Sequence, residues 1–321
     1  MRFGSLFSGI EAASAAWHPL GWGCAWVAEM EPFPCAVLAH HYPDVPNLGD
    51  VTAHTFTARA AAQGPVDLIV GGSPCQAFSV AGLRNSLDDD RGNLTLRFVE
   101  IVHDLKPSWI VWENVPGVLN TKDNAFGCFL AGLAGADSPL VSPGGRWPNF
   151  GLVSGAGYNL AWAIKDAQYF GVPQRRRRVF VVASLGSWAC AEALFPVSQG
   201  VRGDSAAGQE AGQVAPTIPC RRTAGGGLGT DFDCDGGLIA HALTSRYDSS
   251  EDGCGTMQVR RLTPTECSRL QGFPDNYLPQ VTFRGKCPPA DGPMYRALGN
   301  SMAVPVMRWI GERIMEVENA K

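Results

Sequence analysis

Through its first 185 residues the chain alternates short apolar runs with amphipathic stretches, and this rhythm limits the folds open to it more than any other feature. Residues 2–7, 24–29, 67–70, 109–112, 158–164 and 178–183 fit strands, most of them ending in glycine or an acid. Between the third and fourth runs, Leu94, Phe98, Ile101, Val102 and Leu105 recur at offsets of 4, 7, 8 and 11, which places them on one face of a helix. Lys106-Pro107 ends that helix, because proline disfavours helical geometry in the residue before it. Strand and helix in alternation predict a parallel sheet covered by helices. This is a doubly wound α/β fold, whose ligands bind at the carboxyl ends of the strands.

The pattern breaks at residue 186. Thirteen of the 38 glycines fall in residues 186–258, where nine acidic residues stand against four basic ones. A separate loop-rich or β-rich unit is expected there, with short strands at 216–218 and 237–240. Order returns after Arg260, and 305–317 fits a closing helix with Val306, Ile310 and Ile314 on one face. The predicted organisation is a main domain over 1–185, a smaller one over 186–275, a hinge over 276–292, and a terminal helix over 293–321 that completes the first domain. No run approaches the roughly 18 apolar residues needed to span a bilayer. The start of the chain lacks a basic-then-apolar leader, so a cytoplasmic protein is expected, with bacterial or phage origin. Ten cysteines, none spaced Cys-x-x-Cys, are expected as reduced thiols. A zinc site from Cys220, Cys234, His241 and Cys254 is disfavoured by their wide spacing, and no metal is expected. A net charge of −4 excludes a protein that coats nucleic acid, so any such contact must be a local basic patch.

Chemistry concentrates at the predicted strand ends. Phe7-Ser8-Gly9-Ile10-Glu11-Ala12 forms a tight turn into a helix, where glycine lets backbone approach a ligand. About 20 residues on, Glu29 ends the second strand, where an acid can accept hydrogen bonds from ribose hydroxyls. Met30 beside it can lie against an adenine face, and Asp50 is a third acid in that region. The third strand runs through Gly71-Gly72-Ser73 into Pro74-Cys75-Gln76, the position at which a nucleophile would be presented. The fourth delivers Glu113 to the same edge, where apolar walls would keep it protonated. In Arg175-Arg176-Arg177-Arg178, strand alternation sends Arg176 and Arg178 to one side and Arg175 and Arg177 to the other.

These motifs together resemble the cytosine-C5 DNA methyltransferases. The resemblance is carried in order by Phe7-Ser8-Gly9, Glu29-Met30, Gly49-Asp50-Val51, Pro74-Cys75-Gln76, Glu113-Asn114-Val115, Gln174 to Arg178, Arg261-Leu262-Thr263-Pro264 with Glu266, Gln271-Gly272-Phe273-Pro274, and Gly299-Asn300-Ser301-Met302. It covers nearly the whole chain outside 186–258. It implies a Rossmann-like sheet with a smaller target-recognition domain, S-adenosyl-L-methionine as cofactor, and a flipped-out cytosine in double-stranded DNA as substrate. Cys75 matches the nucleophile that adds to C6, and Glu113 the acid at N3. Arg178 and Arg176 match groups at the cytosine.

For the cofactor the resemblance implies Phe7 and Gly9 at the methionine end, Glu29 at the ribose, Met30 on the adenine face, Asp50 with Val51 at its edge, and Ile10 as a further contact. Pro74, Leu94, Asn300 and Ser301 contribute from elsewhere. Gln76, Ser79, Arg221, Arg222 and Thr223 are candidate DNA contacts, the last three against the alternative of a surface loop. A monomer is expected, and a cognate restriction endonuclease stays open as a partner. Where the family often has Gly-Gly, this chain has Glu11-Ala12. That glutamate would favour the helix start but repel the cofactor's carboxylate, so Glu11→Gly is expected to tighten cofactor binding or leave it unchanged. Two other identities stay open, a transfer-RNA cytosine-C5 methyltransferase and a non-catalytic DNA-binding relative. A dehydrogenase would have no use for Cys75 with Glu113.

Overall fold

The computed structural model describes residues 1–74, 94–195 and 260–320 in full, with 240–241 and 257–258 as backbone. The apolar runs become β1 (Arg2–Leu6), β2 (Gly23–Ala28), β3 (Leu68–Gly71), β4 (Trp109–Asn114), β5 (Phe150–Val153), β6 (Tyr158–Asp166) and β7 (Arg177–Leu185). Of these only β5 was not expected. It is a short edge strand with Phe150 and Leu152 exposed, so it lacks the buried run that marks the others. Its Gly151 lies where a Cβ would come within 2.2 Å of the Trp162 ring, so the tryptophan covers the strand.

The strands order as β2-β1-β3-β4-β7-β6-β5. β1 to β4 are parallel to one another. β7 instead runs antiparallel to β4, β6 to β7, and β5 to β6. The expected parallel sheet is therefore corrected for half its width. Residues 167–176 join β6 to β7 without an α-helix, and a link that short closes an antiparallel pair, since parallel neighbours need a crossover. This reversal carries the start of β7 to the end of β4, pairing Glu113 with Phe180 and Asn114 with Val179.

Side chains alternate between the two faces of the sheet with period two. Phe3, Leu68, Val70, Trp109, Val111, Phe180 and Val182 enter one core. Leu6, Ile69, Ile110, Trp112, Val179 and Val181 enter the other. The first face is covered by α1 (Ala12–Trp17), α6 (Ala189–Leu194), α7 (Pro264–Gln271), α8 (Asp291–Asn300) and α9 (Val304–Asn319). The second is covered by α3 (Phe56–Ala61), α4 (Leu94–Leu105) and α5 (Ala125–Ala134), while α2 (Pro32–His41) follows β2. The Trp17 indole donates to the Met307 carbonyl at 2.7 Å, tying α9 to α1. The expected closing helix is α9, with Val306, Ile310 and Ile314 buried. Lys106, at φ 49, ends α4 before Pro107.

Residues 260–275, expected in the smaller domain, are packed in the main core instead. α7 opens with a capping box in which Thr263 and Glu266 bond each other's backbone N–H. Cys267, Phe273, Tyr277 and Leu278 then share one cluster with Trp17 and Ile310. The described Ala189–Leu194 helix joins the same cluster, so the composition change at 186 precedes any structural boundary. Two short strands, β8 (Ala240–His241) and β9 (Met257–Gln258), pair antiparallel. The expected strand at 216–218 lies outside the described residues, and the one at 237–240 meets β8 only at Ala240. Among the described residues no helix is long and apolar enough to cross a membrane.

Candidate active site

β1 continues to β2 on one side, and β3 lies on its other side, so the loops leaving β1 and β3 diverge. A crevice opens between them at the carboxyl ends of the strands. It encloses about 410 Å³, counting its open mouth. Its lining combines Ser5 and Leu6 of β1, Phe7 to Gly9 and Glu11 to Ala13 of the turn after it, Val70 from β3 and Gly72 just beyond, Glu113 from β4, and Asn300 to Met302.

The β1 turn holds three residues in the left-handed region, Phe7 at φ 54, Gly9 at φ 56 and Glu11 at φ 63. A Cβ on Gly9 would meet nothing within 4 Å, so this backbone borders open space. Glu29 braces the turn: Gly9 N–H donates to Oε2 at 2.7 Å, and Met30 and Glu31 N–H donate to Oε1 at 2.7 Å. Beyond it Met30 is 64% exposed, an apolar side chain left uncovered. The Asp50 Oδ1 accepts from the Thr52 N–H and hydroxyl, both at 2.8 Å, forming a local turn. Val51 is buried beneath it, Leu94 half-buried, Asn300 exposed and Ser301 buried. Ile10 is fully buried in the core, its carbonyl accepting from the Tyr277 hydroxyl at 2.7 Å.

Glu11 departs from what its sequence position suggests. Its carboxylate is folded inward and 1% exposed, accepting from the Ser5 hydroxyl at 2.8 Å and from the Ser14 N–H and hydroxyl at 3.1 Å. It caps α1, as expected of an acid there, but as a buried group. Burial pushes its pKa up to about 7.

At the far wall, Arg178 Nε lies 3.1 Å from Glu113 Oε1, the pair being largely enclosed. Glu113 is 8% exposed, and its pKa is raised by burial despite the opposing pull of Arg178 and Arg176. Loss of water outweighs the ion pair here, as is usual when both charges are enclosed. Arg176, 2% exposed, donates through Nη2 to the carbonyls of Gly299 at 3.0 Å and Ser301 at 2.7 Å. It therefore fastens the 299–302 segment beside β4, while Arg175 and Arg177 point outward.

The loop after β3 is held by residues whose role was not apparent in the sequence. Trp112 Nε1 donates to the Ser73 hydroxyl at 3.0 Å, which also pairs with the Thr95 hydroxyl at 2.6 Å. Asn114 donates to the Ser73 carbonyl at 3.0 Å. Ser73→Ala strips a partner from two buried groups and is expected to cost about 1–3 kcal/mol. A urea midpoint lowered at unchanged slope would report this, and an unmoved midpoint would remove Ser73 as the anchor. The available signal was Ser73 itself, as Ser5 was for the Glu11 contact: a hydroxyl inside or just after an apolar strand. Pro74 is exposed at the end of this loop. Cys75, Gln76, Ser79, Arg221, Arg222 and Thr223 lie outside the described residues, as do three of the four residues weighed for zinc. No cluster of metal-ligating side chains occurs among the described residues.

A family model described as C-5 cytosine-specific DNA methylase matches residues 1–135, 152–201 and 198–316. A protein of Escherichia phage P1 named DNA N-6-adenine-methyltransferase is 37% identical over 97% of this chain, which spans 61% of that relative's length. The Type II methyltransferase M.HpaII of Haemophilus parainfluenzae is 26% identical over 98% of this chain and 89% of its own. Among solved structures, the Dnmt2 methyltransferase of S. pombe superposes with a TM-score of 0.65 at 18% identity, over 99% of both chains.

Proposed function

From the premise that this chain belongs to the C-5 cytosine-specific DNA methylase family, we propose that it methylates C5 of cytosine in double-stranded DNA through a covalent adduct with Cys75. The observation that carries this reading is Glu113, an enclosed carboxyl with a raised pKa, paired with Arg178 on the crevice wall. C5 of cytosine is a weak nucleophile, and the pairing answers that deficiency. The Cys75 thiolate adds to C6 while Glu113 gives its proton to N3, so the ring holds the electrons as a neutral enamine. Arg178 steadies the carboxylate left behind. Electrons then return from N3 through the ring, the proton goes back to Glu113, and the new bond forms from C5 to the methyl group. Water takes the C5 proton, the C6–S bond breaks, and Cys75 leaves as thiolate.

The residues at the ends of β1 and β2 fit S-adenosyl-L-methionine by their own chemistry: an open Gly9 backbone in the crevice, Glu29 bonded to it, and beyond these the exposed Met30 and the acid Asp50. When bound, that cofactor supplies a methyl group on a sulfonium, with a neutral thioether as leaving group. Phe7 and Gly9 would border its methionine end, Glu29 the ribose, and Met30, Asp50 and Val51 the adenine. Pro74, Leu94, Asn300 and Ser301 would close the site. Because the target carbon is stacked inside a duplex, the cytosine must be flipped out. Gln76, Ser79, Arg221, Arg222 and Thr223 are the proposed DNA contacts.

The name of the phage P1 relative raises methylation of adenine N6 as a second reading. An exocyclic amine attacks a methyl group directly and needs neither a thiol adduct nor a proton donor at a ring nitrogen. Glu113 favours cytosine on this ground. Nucleoside mass spectrometry of DNA from methylation-deficient cells expressing the chain, with bisulfite sequencing to locate sites, is expected to find 5-methylcytosine. Finding N6-methyladenine alone, or neither base, would overturn the proposal.

A further inference from the structure

We infer that the Glu11 carboxylate is a charge selector in the crevice, favouring the sulfonium cofactor over the neutral thioether product. This rests on the cofactor proposed above. Glu11 lines the crevice yet is buried, and each group bonded to it is a neutral donor: the Ser5 hydroxyl from β1, and the Ser14 N–H and hydroxyl from α1. The other titratable groups close enough to interact are Cys24 from β2, Glu29 after it, Tyr42 after α2, and Tyr277 after α7. None of these is a cation. Among the described residues, then, an enclosed carboxyl has hydrogen bonds and no counter-charge.

Such a group is ionised at a cost unless a cation arrives, and the residue that carries it lines the crevice. Its backbone, left-handed at φ 63, would suit glycine better, so the side chain is kept at the expense of local strain. The cofactor and its product carry the same amino and carboxylate groups. They differ in one positive charge, on the sulphur that gives up the methyl group. A carboxylate here attracts the reactant and is indifferent to the product. It thereby relieves product inhibition, which a glycine at this position cannot do. On this proposal Glu11→Gly weakens cofactor binding, the opposite of the expectation from sequence.

The sign in pH follows from linkage. Free Glu11 takes up its proton near pH 7, and a neighbouring sulfonium favours the ionised form, so cofactor binding releases a proton below that pH and strengthens as pH rises towards it. Thioether binding through Glu11 stays flat.

The test is calorimetry on the full chain with S-adenosylmethionine and S-adenosylhomocysteine, at about pH 6 and about pH 8, in buffers of different ionisation enthalpy. The wild-type chain should release protons on binding the first at the lower pH and not on binding the second. Glu11→Gln keeps an acceptor for Ser14 and offers an N–H to the Ser5 hydroxyl, and should reduce the preference for the sulfonium at the higher pH by about tenfold, the equivalent of one pKa unit. An unchanged preference in Glu11→Gln, or no difference in proton release between the two ligands in the wild-type chain, overturns the selector while leaving the cofactor assignment standing. Failure of the wild-type chain to bind either ligand overturns both.

Discussion

A Cys75→Ala chain is expected to lose methyl transfer to cytosine by about 10⁴-fold or more, because the variant removes the bond that makes C5 nucleophilic. The loss should fall on turnover, with DNA binding within a few-fold of wild type, since a small side chain replaces a small one. A second measurement separates a nucleophile from a structural thiol. With DNA carrying fluorine in place of hydrogen at C5, water has no proton to remove, elimination stalls, and the adduct persists. Wild-type chain should then migrate as a denaturant-resistant complex with DNA, and Cys75→Ala should not. Retained methyl transfer in Cys75→Ala would rule out the covalent route.

Glu113→Gln is expected to lower kcat by about 10²–10⁴-fold, the range of a lost general acid. The amide can still donate a hydrogen bond to N3 and accept one from Arg178, so folding and cofactor binding should persist. It cannot transfer a proton. The pH profile provides the sharper readout. Burial raises the Glu113 pKa, so the protonated acid survives above the ordinary carboxylate range and is lost as pH rises through the shifted value. The thiolate of Cys75 is gained in the same direction. Wild-type activity should therefore rise with pH as the thiol ionises and be held down on the alkaline side as Glu113 deprotonates. Glu113→Gln should retain the first limb and lose the second. A variant that keeps wild-type turnover and both limbs would dismiss Glu113 as the proton donor.

Much of the candidate site's lining was legible because it gathers at strand ends, and strand ends are marked locally. The runs before Glu29, Gly71 and Glu113 are short and continuously apolar, each stopping where glycine or acid begins, and the first strand stops at Phe7-Ser8-Gly9. The Leu94–Leu105 helix was legible from its spacing, and its end from Pro107. β5 was not, because an edge strand with exposed Phe150 and Leu152 has no buried face to generate a pattern. Nor were residues 260–275 recognisable as part of the main core. Their burial against Trp17 and Ile310 depends on partners far away in sequence.

The four arginines show where the division falls. Alternation alone determined that Arg176 and Arg178 share a side, since successive residues of an extended chain point in opposite directions. It could not determine which edge of the sheet they reach. A parallel β7 would have carried them to the opposite end from Glu113. The antiparallel sense of β7, closed by the short link from β6, brings Arg178 to Glu113 and Arg176 to the 299–302 segment. Glu11 divides the same way. Its place at a helix start was evident from sequence, but its burial, its lack of a cation among the described residues, and its raised pKa arise from β1, β2 and residues up to Tyr277 closing around it. Periodicity is a property of neighbouring residues, whereas strand sense and desolvation are sums over contacts distant in the chain, and only the folded structure makes those contacts.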